Sequence, residues 1–181
     1  MDIPSPAPGQ RCVGVAITIP APFAAALRAA RARFGDTGAD QIPPHVTLLP
    51  PTLVNLDDGG PIHAHLAAAA ASVAAFWLTL RGSATFRPVS PVVFMPVVEG
   101  FDDCARLYKK VHAGLLARER PFEFWPHLTL AQDLDDQDLD EVQRVLGAEE
   151  IRIRVEQIDL YARLEDQGWT MEQSFALGPL G

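Results

Sequence analysis

The sequence predicts a protein of mixed strands and helices built as two copies of one unit, and two observations carry that expectation. The first is a short stretch that occurs twice, Pro44-His45-Val46-Thr47-Leu48 and Pro126-His127-Leu128-Thr129-Leu130. The second is the context around it, which also repeats: an apolar strand, a helix, a Pro-containing loop, the motif, another helix and then strand-like sequence. A repeated motif inside a repeated context implies duplicated architecture. The motif histidines, at positions 45 and 127, are separated by close to half of the 181-residue chain.

The elements follow in order. Val13, Val15, Ile17 and Ile19 alternate with small or weakly polar residues, as in a strand covered on at least one face. Pro20 and Pro22 end it and start a helix over about 23–34, with Phe23, Leu27 and Ala30 at helical spacing and Arg28, Arg31 and Arg33 expected on its solvated side. Gly35 to Pro44 reads as a turn-rich loop leading into the His45 strand, which Pro50 and Pro51 are expected to close. Asp57-Asp58-Gly59-Gly60-Pro61 reads as a turn before an Ala-rich helix over about 63–75, too short to span a bilayer and expected in the core. Trp77 to Phe86 reads as a half-exposed strand with a bend at Gly82-Ser83.

The second copy opens at Ser90-Pro91 with the apolar run Val92 to Val98. A helix is expected over about 101–118, with Leu107, Val111 and Leu115 on one stripe and His112 flanking it. Phe122, Phe124 and Trp125 precede His127, and an acidic segment from Asp133 starts a helix over about 136–146. Ile151, Ile153 and Val155 alternate with polar residues, and the apolar phase then shifts to Ile158 and Leu160, suggesting a bulge near Gln157. Trp169, Met171, Phe175 and Leu177 fit a last strand paired to it around an Asp166-Gln167-Gly168 turn.

Composition narrows the function classes. The chain is 48% hydrophobic and 21% charged, enough for one sizeable core, with a net charge of −8 that disfavours a broad surface for duplex DNA or long RNA. Two cysteines, Cys12 and Cys104, lack zinc or disulfide spacing and suit a reducing cytoplasm. His63 and His65, two apart at a helix start, diverge and have no ligand cluster beside them, so no metal is expected. Residues 1–10 carry no basic and apolar signal regions and read as a loose Pro-rich tail, leaving 11–181 as a single domain.

In a strand, alternate side chains share a face, so each motif His points with the Thr two places on, while Val46 and Leu48, or Leu128 and Leu130, point the other way. If the halves pack about a pseudo-twofold axis, the four polar side chains converge on one cleft. Two imidazoles suit in-line displacement at phosphorus, one taking a proton from the attacking oxygen and the other giving one to the leaving oxygen. The Thr hydroxyls can hold the non-bridging oxygens. Phe124 and Trp125 are candidates to stack on a base.

On these residues the chain resembles the 2H phosphoesterases, defined by two His-x-Thr/Ser motifs, and within them the bacterial 2′-5′ RNA ligase-like branch. The resemblance implies a bilobal α+β fold with antiparallel sheets lining a central cleft and helices outside. It implies metal-independent, cofactor-free opening of 2′,3′-cyclic phosphates on nucleotides or RNA 3′ ends, carried by His45, Thr47, His127 and Thr129. It makes His45 the acid for the leaving 3′ oxygen and His127 the base for water. RNA 2′-5′ ligation and hydrolysis of ADP-ribose cyclic phosphate are the enzyme alternatives, and a nucleotide- or RNA-end-binding module without turnover is the alternative of another class. Relatives commonly follow the second motif with Ala-Arg, where this chain has Ala131-Gln132; Arg154, Arg163 or Arg81 is expected to replace that phosphate contact. A cytoplasmic monomer without membrane contact completes the expectation.

Overall fold

The computed structural model describes residues 3–21, 23–34, 42–119, 122–164 and 168–179. Positions 35–41 of the loop expected over Gly35 to Pro44, and the turn expected at Asp166-Gln167, fall outside them. Nine strands and four helices alternate along the described chain: β1 (Gln10–Thr18), α1 (Phe23–Arg33), β2 (His45–Asn55), α2 (Gly59–Ala71), β3 (Phe76–Arg81), β4 (Ala84–Thr85), β5 (Val92–Glu99), α3 (Phe101–Val111), β6 (His127–Gln132), α4 (Asp136–Leu146), β7 (Glu150–Val155), β8 (Gln157–Leu164) and β9 (Gly168–Ala176).

The strands form one curled antiparallel sheet in the order β7-β3-β5-β6-β2-β1-β8-β9, with β4 beside β5. Its centre is the seam between the two motif strands, β6 and β2. Outward from the seam, each side reads motif strand, opening strand, a strand contributed by the other half of the sequence, and an edge strand. The duplication is therefore interleaved: β3 crosses to pair with β5, and β8 crosses to pair with β1. This crossing explains the phase shift near Gln157. Val155 ends a strand paired with β3, and Gln157 begins one paired with β1 and β9, so the chain changes neighbours where a bulge within one strand was expected.

One face of the sheet is covered by helices. Val46, Leu48, Leu128 and Leu130 are fully buried there, in one cluster with Leu107 and Val111 of α3 and Leu139 and Val142 of α4. Each such burial is worth about 1.5–3 kcal/mol. A one-residue slip of either motif strand would expose its apolar pair and bury its His and Thr, so the core fixes which side chains face outward.

Helix ends follow local chemistry. The Asp135 side chain caps α4 by accepting from the Asp138 backbone N–H at 2.9 Å, and Leu139, Val142 and Leu146 form its buried stripe. Helix α3 stops at Val111, short of the expected 118, with Gly114 turning the chain at φ 57° just beyond. Helix α2 begins at Gly59, earlier than expected, with Pro61 within its first turn, where a missing N–H costs nothing. Ile62, Leu66, Ala69 and Ala70 are buried, as expected of the Ala-rich helix. Among the described residues no helix is long and apolar enough to cross a membrane.

Strand β2 does not end at Pro50-Pro51. Val15 pairs with Leu49 and Val13 with Thr52, so the two prolines form a bulge opposite Gly14, where the ladder asks for no N–H. Gly14 suits the spot, because a Cβ there would meet the Leu49 carbonyl oxygen at 3.3 Å.

Candidate active site

The two motif strands are direct neighbours, antiparallel, with Val46 opposite Leu128. Antiparallel pairing then sets His45 beside Thr129 and Thr47 beside His127 across the seam, all four on the face away from the helices. Burial agrees: positions 45, 47, 127 and 129 are half-buried, while 46, 48, 128 and 130 are buried. The histidines are diagonal neighbours, which in a regular ladder lie about 7–8 Å apart, and somewhat less at Cβ, a spacing two inward-reaching rings can close around a tetrahedral group.

Both rings are held the same way. His45 Nδ1–H donates to the Pro43 carbonyl at 2.8 Å, and His127 Nδ1–H donates to the Trp125 carbonyl at 2.7 Å. Each bond joins the His to the residue two positions before it, and each leaves Nε2 as the atom for chemistry, a lone pair when the ring is neutral and a donor when it is protonated. The shared Pro just before each motif, Pro44 and Pro126, directs the preceding chain into the extended conformation that brings those carbonyls within reach.

Burial pushes both imidazoles below the ordinary value of 6.5. For His45 the charges of Arg31 and of His127 push the same way, against the Pro43 hydrogen bond. For His127 the Trp125 hydrogen bond opposes burial. The free protein therefore holds a pair of neutral rings near pH 7. An anion placed beside the rings would favour return of a proton to one of them.

Arg31 departs from the sequence expectation. It is 8% exposed, not solvated, and its charge reaches His45. The signal was present in the spacing: Arg31 follows Leu27 by four positions, on the same stripe of α1 as Ala24. The aromatic neighbours differ as well. Phe86 and Phe94 stack at 4.1 Å and present their rings edge-on to His127 at 5.0 and 5.1 Å. Phe124 instead stacks on Tyr108 at 4.1 Å and packs against the core. Trp125 is 54% exposed, edge-on to Phe101, and contributes its carbonyl to His127.

The candidate arginines separate. Arg163 is level with Cys12, which is level with Leu53, eight residues along β2 from His45. That is roughly 25 Å of strand, beyond the reach of one side chain. Arg81, on β3, is 63% exposed at its side chain and pairs with Glu150 at 3.4 Å. Arg154 borders a cavity that also includes Thr18, and Thr18 is the ladder partner of His45.

The other histidines serve packing. His112 Nε2–H donates to the Leu48 carbonyl at 2.9 Å, tying the end of α3 to the first motif strand, so it is a structural contact and not a surface group. His65 donates to the Val111 carbonyl at 3.1 Å, and His63 meets Glu172 at 2.7 Å. Among the described residues, no three His, Cys, Asp or Glu side chains gather to hold a metal ion. Both cysteines are free and buried, and burial pushes the Cys104 thiol up to about 12.

The family model described as the 2′-5′ RNA ligase superfamily matches residues 19–167, spanning both motifs. The chain belongs to the 2′-5′ RNA ligase superfamily, the 2H phosphoesterases. Within the superfamily it is 30% identical over 142 residues to a Bacillus licheniformis protein named "Putative phosphoesterase", a match covering 76% of this chain and 82% of that one. A Geobacillus kaustophilus protein of the same description is 28% identical over 139 residues, covering 76% and 80%. Among solved structures, E. coli LigT complexed with NADP+ superposes with a TM-score of 0.65 at 20% identity, covering 93% of this chain and 98% of that one. Kluyveromyces marxianus Usb1 superposes with a TM-score of 0.52 at 10% identity, covering 93% and 98%. These structural likenesses carry the superfamily's curled-sheet fold.

Proposed function

We propose that the protein hydrolyses a 2′,3′-cyclic phosphodiester on a nucleotide or an RNA 3′ end, using His45 and His127 as a coupled acid and base. One observation carries this reading: the two His-x-Thr strands lie side by side with four polar side chains on one open face, and each Nδ1 is spent on a carbonyl so that both Nε2 atoms are available. That LigT has been solved with 3′-AMP, ATP and NADP+ supports a nucleotide substrate.

The reaction follows from the groups present. The cyclic phosphate sits over the seam with its non-bridging oxygens toward Thr47 and Thr129, which donate neutral hydrogen bonds as charge shifts in the transition state. Neutral His127 Nε2 takes a proton from water as the water oxygen bonds to phosphorus. Protonated His45 gives its proton to the departing 3′ oxygen as the P–O bond breaks, leaving a 2′-phosphate. A substrate bound in the reverse orientation exchanges the two roles, because the hydrogen bonds around the two rings are alike. The same step with a 5′-hydroxyl in place of water as the nucleophile gives 2′-5′ ligation.

The test is a substrate panel: the four nucleoside 2′,3′-cyclic phosphates, an oligonucleotide ending in one, and ADP-ribose cyclic phosphate, each incubated in EDTA. Turnover of a 2′,3′-cyclic phosphate at an undiminished rate in EDTA supports the reading. Turnover only after a divalent ion is restored contradicts the acid-base mechanism, and binding without turnover returns the protein to the class of nucleotide-binding modules.

A further inference from the structure

Beside His45 the same open face carries a second feature. Thr18, the last residue of β1, stands opposite His45 in the ladder, so the two side chains are cross-strand neighbours, about 4.5–5.5 Å apart at Cβ. Thr18 borders a cavity of about 350 Å³, a volume within the range of ligand pockets. Pro20 and Met171 bring apolar surface to it, and Thr18, Arg154, Glu156, Gln157, Asp159 and Tyr161 bring polar groups.

Asp159 lies beneath, 4% exposed. One of its carboxylate oxygens accepts from Thr18 Oγ1 at 2.5 Å; the other accepts from Gln157 Nε2 at 2.8 Å and from Ser174 Oγ at 2.6 Å. A carboxylate only accepts, so the direction of every bond in this network is set. Thr18 has spent its single proton on Asp159 and must accept from Tyr161, whose hydroxyl is 2.8 Å away. Gln157 has spent both amide protons, on Asp159 and on Ser174 Oγ at 3.1 Å, and keeps only its carbonyl oxygen for a ligand. The buried carboxylate thus draws the donors inward and leaves Thr18 Oγ1 and Gln157 Oε1 as acceptors.

We propose that this cavity is a nucleobase subsite that selects bases carrying an exocyclic amino group, read by Thr18 Oγ1 and Gln157 Oε1. The proposal rests on the reading that the substrate is a nucleoside 2′,3′-cyclic phosphate held at His45. The volume takes a flat heterocycle, and the amino protons of such a base meet the acceptors that the Asp159 network leaves open. A base of the same shape without that group leaves the acceptors unmatched, a loss of roughly 3- to 10-fold for a neutral hydrogen bond.

The experiment compares adenosine 2′,3′-cyclic phosphate with purine riboside 2′,3′-cyclic phosphate, which differ only in the 6-amino group. It adds calorimetric binding of adenosine 3′-monophosphate and purine riboside 3′-monophosphate. Wild-type protein is expected to favour the adenosine compounds in kcat/KM and in Kd by roughly 3- to 10-fold. In Thr18→Val and Gln157→Leu, each checked for an unchanged melting transition, that ratio is expected to fall toward one. Selective binding without turnover of either cyclic phosphate would contradict the hydrolytic reading and uphold the subsite. Equal treatment of the two bases by the wild-type protein, absence of binding, or an unchanged ratio in both folded variants would overturn the subsite, and the wild-type comparison stands even if a variant does not fold.

Discussion

Acidification from about pH 7.5 to about 5.5 is expected to cost this protein stability through its paired histidines. Both have folded-state pKa values below the unfolded value of 6.5, chiefly through burial. Above 6.5 neither the folded nor the unfolded chain takes up a proton at these rings, and their contribution is intact. Below 6.5 the unfolded chain protonates first, so stability is lost until the pH has fallen through the folded-state values, where the loss levels off. Each histidine contributes a limiting slope of about 1.4 kcal/mol per pH unit, and the pair about 2.7. Carboxylates such as Glu99 and Glu141, held low by hydrogen bonds from Arg152 and Arg144, act only at more acid pH, below their ordinary 4.5. The assay is urea unfolding at several pH values for the wild type and for a His45→Gln, His127→Gln double variant. The wild type should lose stability across this window and the double variant much less. An equal loss in both would refute the assignment of two buried neutral rings.

Arg31→Met should move the His45 titration upward, because the guanidinium charge lowers it, and an NMR titration of the imidazole resonances reads the direction. Two glycines should respond with opposite signs in urea unfolding. Gly100, at φ +86° and with the Trp77 carbonyl oxygen 2.6 Å from the position of a Cβ, should lose at least about 1–3 kcal/mol as Ala. Gly60, within α2 and with nothing within 4 Å of its Cβ position, should gain about 0.5–1 kcal/mol as Ala.

What the sequence revealed was what periodicity and repetition encode. The two motif strands were legible because apolar residues alternate with His and Thr, and the core enforces that alternation. Helix α4 was legible because the acidic segment from Asp133 suits a helix N-terminus. Features decided between distant segments were not. Pro50 and Pro51 read as a strand end, and only the register against Gly14 turns them into a bulge that β2 passes through. The change of phase near Gln157 read as a local irregularity, whereas it marks the passage of the chain from β3 to β1 as neighbour. In the site, Phe124 and Trp125 were conspicuous because they precede His127 in sequence. Phe86 and Phe94 flank its ring because strand pairing carries them there. The Thr18-Asp159-Tyr161 network joins residues more than 140 positions apart and has no local signature.

The central claim is that His45 and His127 act as one unit on a cyclic phosphate, and its most direct measurement is turnover of a cyclic-phosphate-ended substrate by the wild type, His45→Ala, His127→Ala and the double variant across pH. Each single variant is expected to lose roughly 100- to 10,000-fold, the range for losing a positioned acid or base, and the double variant to be little worse than either. Thr47→Ala and Thr129→Ala should be milder, on the order of 1 kcal/mol each. The wild-type profile should be bell-shaped, with limbs that belong to the coupled pair. A double variant that keeps wild-type turnover, or a wild-type rate that is flat from acid to alkaline pH, would contradict the claim.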